Sequence, residues 1–221
     1  GPNGAVATWT SPTASDIVDG ALAVSCSPVS GSTFVLGTTT VPCSVSDAAG
    51  NGASSSFTVT VVDTTAAILS LPSNVVVDAA MPAGSIVSFV GTAADLVDGA
   101  VSVTCSPASG AVFAMGTTTV HCSAADSRGN ATAGTFAVTV RSADEMTSNL
   151  ATLATASGLS QSGKLLANAL KQGSGGSLNA ACNDLRAFMN QTRAQVGKQL
   201  TVGQATELTD AALRVQAALG C

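Results

Sequence analysis

Charged and aromatic residues are scarce in this sequence. Only 10% of its 221 residues are charged, 3% are aromatic, and tyrosine is absent. Solubility must therefore rest on the hydroxyl groups of the many Ser and Thr residues rather than on ions. This composition is typical of exported β-rich proteins and disfavours a cytosolic enzyme. Around the loop at 173–176, no aromatic side chain is interspersed among the Lys and Arg residues. Binding of nucleic acid is therefore not predicted either.

Long apolar runs are also absent. The mean hydropathy is +0.42, yet no segment approaches the roughly 18 uninterrupted apolar residues of a membrane-spanning helix. The positive value comes from Ala and Val spread along strands, so membrane insertion is not predicted. The chain does not begin with Met and shows no signal peptide. We therefore expect it to be a processed or excised part of a longer secreted protein.

The cysteine pattern disfavours a zinc site and indicates disulfide bonds. There is no Cys-x-x-Cys and only one histidine, so the clustered ligands that zinc requires are missing. Six well-separated cysteines instead indicate an oxidising compartment. Their spacing predicts three bridges, Cys26–Cys43, Cys105–Cys122 and Cys182–Cys221.

Two segments of the chain are near copies of each other. The first runs from Cys26-Ser-Pro-Val-Ser-Gly to Gly37-Thr-Thr-Thr-Val-Pro-Cys43, and the second runs from Cys105-Ser-Pro-Ala-Ser-Gly to Gly116-Thr-Thr-Thr-Val-His-Cys122. Each is followed by an Asp-x-x-Gly-Asn turn, beginning at Asp47 and Asp126, with Gly predicted at a positive φ. A repeat of this length indicates a duplicated domain rather than a solenoid unit.

Three motifs in fixed order, Cys-Ser-Pro-x-Ser-Gly-x-x-Phe, Gly-Thr-Thr-Thr-Val-x-Cys and Asp-x-x-Gly-Asn, occur in both copies. Together they resemble the hyalin repeat (HYR), an immunoglobulin-like module of extracellular and cell-surface proteins, over roughly residues 1–141. The resemblance implies adhesion, or a spacer role beside another domain, and it supplies no catalytic residue. We predict a first repeat at residues 1–62 and a second repeat at residues 63–142.

Alternating apolar residues predict that each repeat is a sandwich of two sheets with a shared core. The inward positions of the first repeat are Ala5, Ala7, Trp9, Val24, Cys26, Val41, Cys43, Val45, Phe57, Val59 and Val61. Those of the second repeat are Val87, Phe89, Val103, Cys105, Val120, Cys122, Phe136, Val138 and Val140.

The first repeat lacks a counterpart of the opening strands of the second. The second repeat has apolar runs at 68–71 and 75–77 before Pro82-Ala-Gly84, whereas the first begins directly at the equivalent Pro2-Asn-Gly4. An open edge is therefore predicted beside residues 5–10. Either the missing strand lies upstream in the parent polypeptide, or another molecule provides it.

Residues 143–221 change to helical spacing and predict an all-α four-helix bundle. Breaks are predicted at Gly158, at Gly173-Ser-Gly-Gly176 and at Gly197, and Thr201-Val-Gly-Gln204 is predicted to cap the last helix. An antiparallel arrangement of the last two helices would bring Cys182 near Cys221. The positions at helical spacing are Met146, Leu150, Leu153, Ala154, Leu165, Leu166, Ala169, Leu170, Leu185, Phe188, Met189, Thr192, Val196, Ala205, Leu208, Ala212, Val215 and Leu219.

Parts of this helical segment are similar to the FIMAH domain, a small module at the carboxyl end of bacterial secreted hydrolases and adhesins. The similar stretches are 158–166, 183–190, 196–201 and 205–212, and the resemblance covers roughly residues 144–221. It implies a bacterial source. The Cys182 and Cys221 pair is not among the features it implies.

Few residues are candidates for chemistry. His121 is predicted to be an outward-facing strand residue, because no catalytic set can be built around it once Cys122 is bridged. Asp16-x-x-Asp19-Gly20 recurs as Asp95-x-x-Asp98-Gly99. These carboxylates are weak candidates for calcium ligands, and turn-making by Asp-Gly explains them equally well. No other metal and no cofactor is predicted.

The sequence thus predicts a multidomain fold, with two immunoglobulin-like all-β sandwiches followed by a helical bundle. The predicted function is that of non-catalytic extracellular adhesion or structural modules of a bacterial secreted or surface protein. Its partners would be a protein, a cell-surface or matrix polymer, or further copies joined into a fibre through the open edge. The alternative is an accessory region that anchors a secreted hydrolase whose catalytic domain lies upstream.

Overall fold

A computed structural model describes residues 1–159, 162–173 and 177–221. β-Sheets occupy the chain up to Arg141, and four helices follow within the described residues. This is the arrangement of β-sandwich domains followed by a helical bundle, so the predicted fold class is confirmed. Residues 160, 161 and 174–176 lie outside the described ranges, as do parts of the predicted break at 173–176 and of the 158–166 stretch.

Each repeat contains several short strands and one hairpin of two long strands. In the first repeat they are β1 (Ala5–Val6), β2 (Ala14–Asp16), β3 (Gly20–Leu22), β4 (Ser25–Cys26), β5 (Thr33–Phe34), β6 (Gly37–Ser46) and β7 (Gly52–Val61). In the second repeat they are β8 (Ile68–Ser70), β9 (Val75–Asp78), β10 (Ser85–Ile86), β11 (Thr92–Asp95), β12 (Gly99–Val101), β13 (Val103–Ser106), β14 (Val112–Phe113), β15 (Gly116–Ala125) and β16 (Ala131–Arg141).

The helices follow the predicted apolar periodicity except at Val196, which lies after the end of α3 and is exposed. They are α1 (Ala143–Ala156), α2 (Ser162–Gly173), α3 (Leu178–Ala194) and α4 (Val202–Leu219). Thr201 and Gln204 form a capping box at the start of α4, as predicted, and Ser142 with Glu145 forms another at the start of α1. None of the described helices is both long and apolar enough to cross a membrane.

Contacts divide the chain into two compact units. The first unit comprises Gly1–Leu69, Thr92–Ser102 and Ala124–Thr132, and the second comprises Ser70–Gly91, Val103–Ser123 and Ala133–Cys221. The boundaries predicted from the repeats, at 62 and 142, remain predictions.

The first unit contains the core of the first repeat. Phe34, Val41 and Cys43 are buried at its centre, and the rings of Trp9 and Phe57 meet edge to face with centroids 5.0 Å apart. Further residues that pack on this core are Ala7, Val24, Cys26, Val59 and Val61, as predicted. Ala5 was expected in the core but is exposed, because it lies in the two-residue strand β1 beside β5.

The second unit contains most of the core of the second repeat and the helices. Val120, Val138 and Val140 are completely buried, and the ring of Phe89 meets that of Phe136 with centroids 4.9 Å apart. In the same unit, Asp78 of β9 forms ion pairs with Arg141 of β16 at 2.8 Å and with Arg214 of α4 at 3.4 Å. These ion pairs link the sheet to the last helix.

The two repeats differ in their edge strands. In the second repeat, β9 pairs in parallel with β16 and β8 lies beside β11. In the first repeat the equivalent sheets end at β7 and at β2, with strand orders β4-β6-β7 and β2-β3 among the described residues. The sequence had placed the open edge beside residues 5–10. The comparison of the repeats moves it, because β1 pairs with β5 just as β10 pairs with β14. The strands that lack the partners present in the second repeat are β2 and β7, the counterparts of β11 and β16.

Candidate functional site

The open side of the first repeat forms a shallow groove. Its volume is about 310 Å³, and its walls come from β2, β6, β7 and the residues beside them. Apolar groups in its lining include Ala14, Val24, Cys43, Val45, Ala53 and Phe57. A groove bounded by two unpaired strand edges is suited to accept an extended polypeptide, since main-chain groups and apolar side chains are both available.

Equivalent positions in the second repeat show what fills such a groove. Ala93, Ala124 and Phe136 are only 6%, 4% and 5% exposed, whereas their counterparts Ala14, Val45 and Phe57 are half-buried. The second repeat possesses β8 and β9, and the first has no paired counterpart of either among the described residues. The groove is therefore the place that an additional strand or two would occupy.

Disulfide bonds cross-link neighbouring strands within each repeat and join α3 to the end of α4. Cys26 bonds Cys43 across the β4–β6 pair, with Cα atoms 4.0 Å apart, and Cys105 bonds Cys122 in the same way at 4.1 Å. Cys182 near the start of α3 bonds Cys221 just after α4, at 5.8 Å. None of these sulfur atoms is free to act as a nucleophile or metal ligand.

Asp16 and Asp19 act in a turn of the first repeat. Asp16 Oδ1 accepts hydrogen bonds from the amides of Val18 at 2.7 Å and Asp19 at 3.0 Å. These amides, that of Asp19 first, hold the pKa of Asp16 below its usual value. Asp19 Oδ2 accepts a bond from the amide of Ala48 at 3.1 Å. The turn-making interpretation therefore accounts for both carboxylates.

The equivalent residues of the second repeat, Asp95 and Asp98, have different roles. Asp95 Oδ1 accepts the amides of Val97 at 2.7 Å and Asp98 at 3.0 Å, repeating the turn. Asp98 is occupied by Ser127, whose amide and hydroxyl donate to its two oxygens at 2.9 Å each. Asp98 thus positions the β15–β16 turn rather than joining Asp95 at a common centre.

The Asp-x-x-Gly-Asn segments are hairpin turns, as predicted. Gly50 and Gly129 have φ angles of 89° and 86°. Asp126 Oδ1 accepts the amides of Arg128 at 2.9 Å and Asn130 at 2.8 Å, and its Oδ2 accepts Asn130 Nδ2 at 2.7 Å. Burial raises the pKa of Asp126, but the bonds from Asn130 and Arg128 outweigh it and leave that pKa below its usual value.

Asp126 also belongs to a cluster that sequence reasoning missed. One carboxylate oxygen from each of Asp63, Asp95 and Asp126 lies within 4.8 Å of the other two. Asp63 precedes β8, Asp95 ends β11 and Asp126 follows β15, and all three belong to the first compact unit. We call these three residues the acidic cluster. Only folding brings them together, because they are widely separated along the chain.

His121 has the position predicted for it. It is exposed on β15, between the buried residues Val120 and Cys122. Because Cys122 is bonded to Cys105, the histidine has no thiol beside it to activate.

Each copy has paired sheets, a disulfide between neighbouring strands and a hairpin turn. These features define this part of the chain as a tandem of immunoglobulin-like repeats. The HYR domain family matches residues 1–61 and 62–140, so the chain belongs to that family. A hyalin from Strongylocentrotus purpuratus is 39% identical over 141 residues, which is 62% of this chain and 12% of that relative. HYR domains are adhesion-type modules. The similarity of the helical segment to FIMAH domains stays a prediction.

Proposed function

We propose that this chain is a non-catalytic adhesive or structural segment of a bacterial secreted or surface protein, and that its first repeat takes up an extended strand. Extracellular location is supported by the HYR family match and by the three disulfide bonds. A bacterial source is supported by the resemblance of the helical segment to FIMAH domains. The partner would be a protein or a polymer of the cell surface or matrix.

The observation that carries the strand-uptake part is the different burial of equivalent residues. Phe136 is 5% exposed in the repeat that has β8 and β9, whereas Phe57 is only half-buried in the repeat that lacks them. Burying apolar surface contributes roughly 25 cal/mol per Å², and pairing the free edge of β7 would satisfy its open backbone groups. An added strand would therefore be stabilised both by burial of apolar surface and by backbone hydrogen bonds.

The strand that fits should resemble residues 66–78. In the second repeat this segment provides β8 and β9, and Val75 and Val77 of β9 lie opposite Val138 and Val140 of β16. When the donor segment belongs to the same polypeptide, it completes the first repeat internally. When it belongs to a neighbouring polypeptide, head-to-tail donation yields a fibre if the rotation between copies does not close a ring.

A peptide experiment tests strand uptake. The 221-residue chain would be mixed with a synthetic peptide of residues 66–78, and Trp9, the sole tryptophan, would report on the first repeat by fluorescence. We expect the peptide to raise the unfolding midpoint reported by Trp9. A control peptide with Asp in place of Val75 and Val77 should have no effect. Equal effects of the two peptides, or none at millimolar concentration, would contradict the proposal.

The adhesive and non-catalytic parts are tested separately. Beads coated with the chain should bind to an extracellular-matrix protein or a cell-surface polymer in a screen, and the His121→Ala variant should bind equally well. The purified chain should hydrolyse none of a panel of ester, peptide and glycoside substrates. A hydrolytic activity that is lost in the His121→Ala variant would contradict this part and restore an enzymatic role.

A further inference from the structure

The acidic cluster concentrates negative charge where water is largely excluded. Asp95 and Asp126 are 7% and 8% exposed, and Asp63 is half-buried. Within the described ranges, both Lys or Arg ion pairs that are found engage Asp78, so neither neutralises the cluster. Burying charges without an opposite charge is unfavourable, and like charges this close repel each other. The fold therefore maintains an arrangement that a cation would stabilise.

An unpaired oxygen in the cluster points independently to a ligand. Asp63 Oδ1 accepts the amide of Thr65 at 3.2 Å, but Asp63 Oδ2 is buried and has no hydrogen-bond partner. Buried polar atoms in folded proteins are nearly always paired, and an exception calls for a specific explanation such as an ion. A carboxylate oxygen that has neither a donor nor solvent, beside two further carboxylates, is explained by a bound cation.

The other two carboxylates are already held in place. Asp95 uses Oδ1 for the two amides of its turn. Asp126 is fixed by Asn130, whose Nδ2 also donates to the backbone carbonyl of Asp63 at 3.2 Å. Asp98 positions the same turn through Ser127. Because these bonds fix three separate segments, little rearrangement is needed for an ion to bind.

We propose that Asp63, Asp95 and Asp126 together bind one divalent, oxygen-preferring cation, and that this cation is calcium. The cluster offers carboxylate oxygens without nitrogen or sulfur, a donor set that favours calcium or magnesium over zinc and copper. Calcium–oxygen distances of about 2.3–2.6 Å allow two ligands of one ion to lie up to about 5 Å apart. The three oxygens lie within 4.8 Å of one another, which one calcium ion can span. Three protein carboxylates at one centre also favour calcium, because magnesium is usually held by one or two carboxylates and keeps several waters.

Calcium would stiffen the segment that leads from the first repeat into the second. Asp63 lies between the end of β7 at Val61 and the start of β8 at Ile68. The ion would fix this segment to the end of β11 and to the β15–β16 turn. Calcium sites of extracellular modules bind with dissociation constants of about 10⁻⁴–10⁻³ M, and we expect this site to lie in that range.

The first repeat supplies an internal control. Asp16 and Asp47 occupy the positions of Asp95 and Asp126, but among the described residues no third carboxylate joins them. They are also less buried than their counterparts. We therefore expect one calcium ion per chain and none at Asp16 and Asp47.

Calorimetric titration of the chelator-treated 221-residue chain with calcium chloride tests this proposal. We expect one site, at least tenfold weaker binding in the Asp63→Asn and Asp126→Asn variants, and unchanged binding in the matched Asp47→Asn variant. Magnesium should bind at least tenfold more weakly than calcium. Thermal unfolding provides a second measurement: with chelator, Asp63→Asn should melt no lower than the native chain. Calcium should raise the midpoint of the native chain and of Asp47→Asn but not that of Asp63→Asn.

Each opposite result overturns the proposal. Absence of calcium binding by the native chain, or equal binding by Asp63→Asn, would remove the site. Loss of binding in Asp47→Asn would place the ion in the first repeat. Magnesium binding as tight as calcium binding would refute the choice of ion. If Asp126→Asn does not fold, Asp63→Asn decides the question, because Asp63 Oδ2 makes no hydrogen bond that the substitution could break.

Discussion

The two HYR repeats carry the same motifs but bury their cores to different extents. Both have a disulfide between neighbouring strands, and in both an Asp-x-x-Gly-Asn turn connects two long strands. Yet Val138 and Val140 are completely buried, while the equivalent Val59 and Val61 are half-buried. The shared motifs therefore determine the strand pairing around the disulfide, and the opening strands determine how completely the core is covered.

A matched pair of core substitutions should give the largest difference between the repeats. Phe136→Ala should lower the free energy of unfolding of the second repeat by about 3–5 kcal/mol, the usual cost of truncating a buried Phe. Phe57→Ala should cost the first repeat about 1–1.5 kcal/mol less, because Phe57 is already partly hydrated and loses less buried apolar area. Denaturant titration, with Trp9 fluorescence for the first repeat and circular dichroism for the second, measures both. Equal losses would show that the first repeat is covered in solution.

Removal of the disulfides should affect the two repeats equally. Each closes a loop with a sequence separation of 17 residues, for which the chain-entropy estimate is about 3 kcal/mol. Replacing Cys26 and Cys43 by Ala, or Cys105 and Cys122, should therefore cost about the same, because the effect lies mainly in the unfolded chain. Non-reducing peptide mapping checks the pairing first. A bridge between the repeats would refute the account of two separately stapled domains.

Substituting the turn Asn should destabilise the second repeat more than the first, by about the contribution of one hydrogen bond. Asn51 Nδ2 donates to Asp47, whereas Asn130 Nδ2 donates to Asp126 and also to the backbone carbonyl of Asp63. With chelator present, Asn130→Ala should cost about 1 kcal/mol more than Asn51→Ala. Unfolding curves of the two variants test this. An equal cost would mean that the contact with Asp63 contributes nothing to stability.

Acid should weaken the first repeat by a small amount through Asp47. The side-chain bond from Asn51, followed by its amide, holds the pKa of Asp47 below its usual value. A carboxyl with a lower pKa in the folded state adds stability above its unfolded pKa of about 3.9 and loses it as pH falls through the folded pKa. Trp9-detected unfolding between pH 5 and pH 2 should show this loss. The slope should be shallower in Asp47→Asn, and an unchanged slope would contradict the assignment.

The sequence predicted what depends on local pattern. Alternation along β6 and β7, the Gly at a positive φ in each hairpin turn and the Thr201 cap of α4 were all recoverable, because each follows from neighbouring residues. Ala5 was misplaced, since a two-residue strand gives too short an alternation to assign a face. The open edge was also misplaced, because pairing between β9 and β16 joins residues more than sixty positions apart.

The acidic cluster was not predicted either, because its residues also lie far apart along the chain. Asp95 was singled out by its repeated motif, but it was paired with Asp98, its neighbour in sequence. The Asp-x-x-Gly-Asn motif predicts a turn role for Asp126, and Asp63 stands in the sequence only as the first residue of the second repeat. The turn contacts of Asp95 and Asp126 are local, whereas the convergence of the three carboxylates depends on tertiary structure. The presence of an Asp at the start of the second repeat was the one available signal.

Hydrogen exchange of β7 and β16 tests the central difference between the repeats most directly. The measurement uses the monomeric 221-residue chain, and it follows amides 138–141, where β16 lies between β15 and β9, and amides 59–62 at the free edge of β7. We expect protection throughout 138–141, and fast exchange at alternate amides of 59–62, because β6 can accept only the amides that face it. Equal, continuous protection of both segments would contradict the open side of the first repeat and the strand uptake proposed for it.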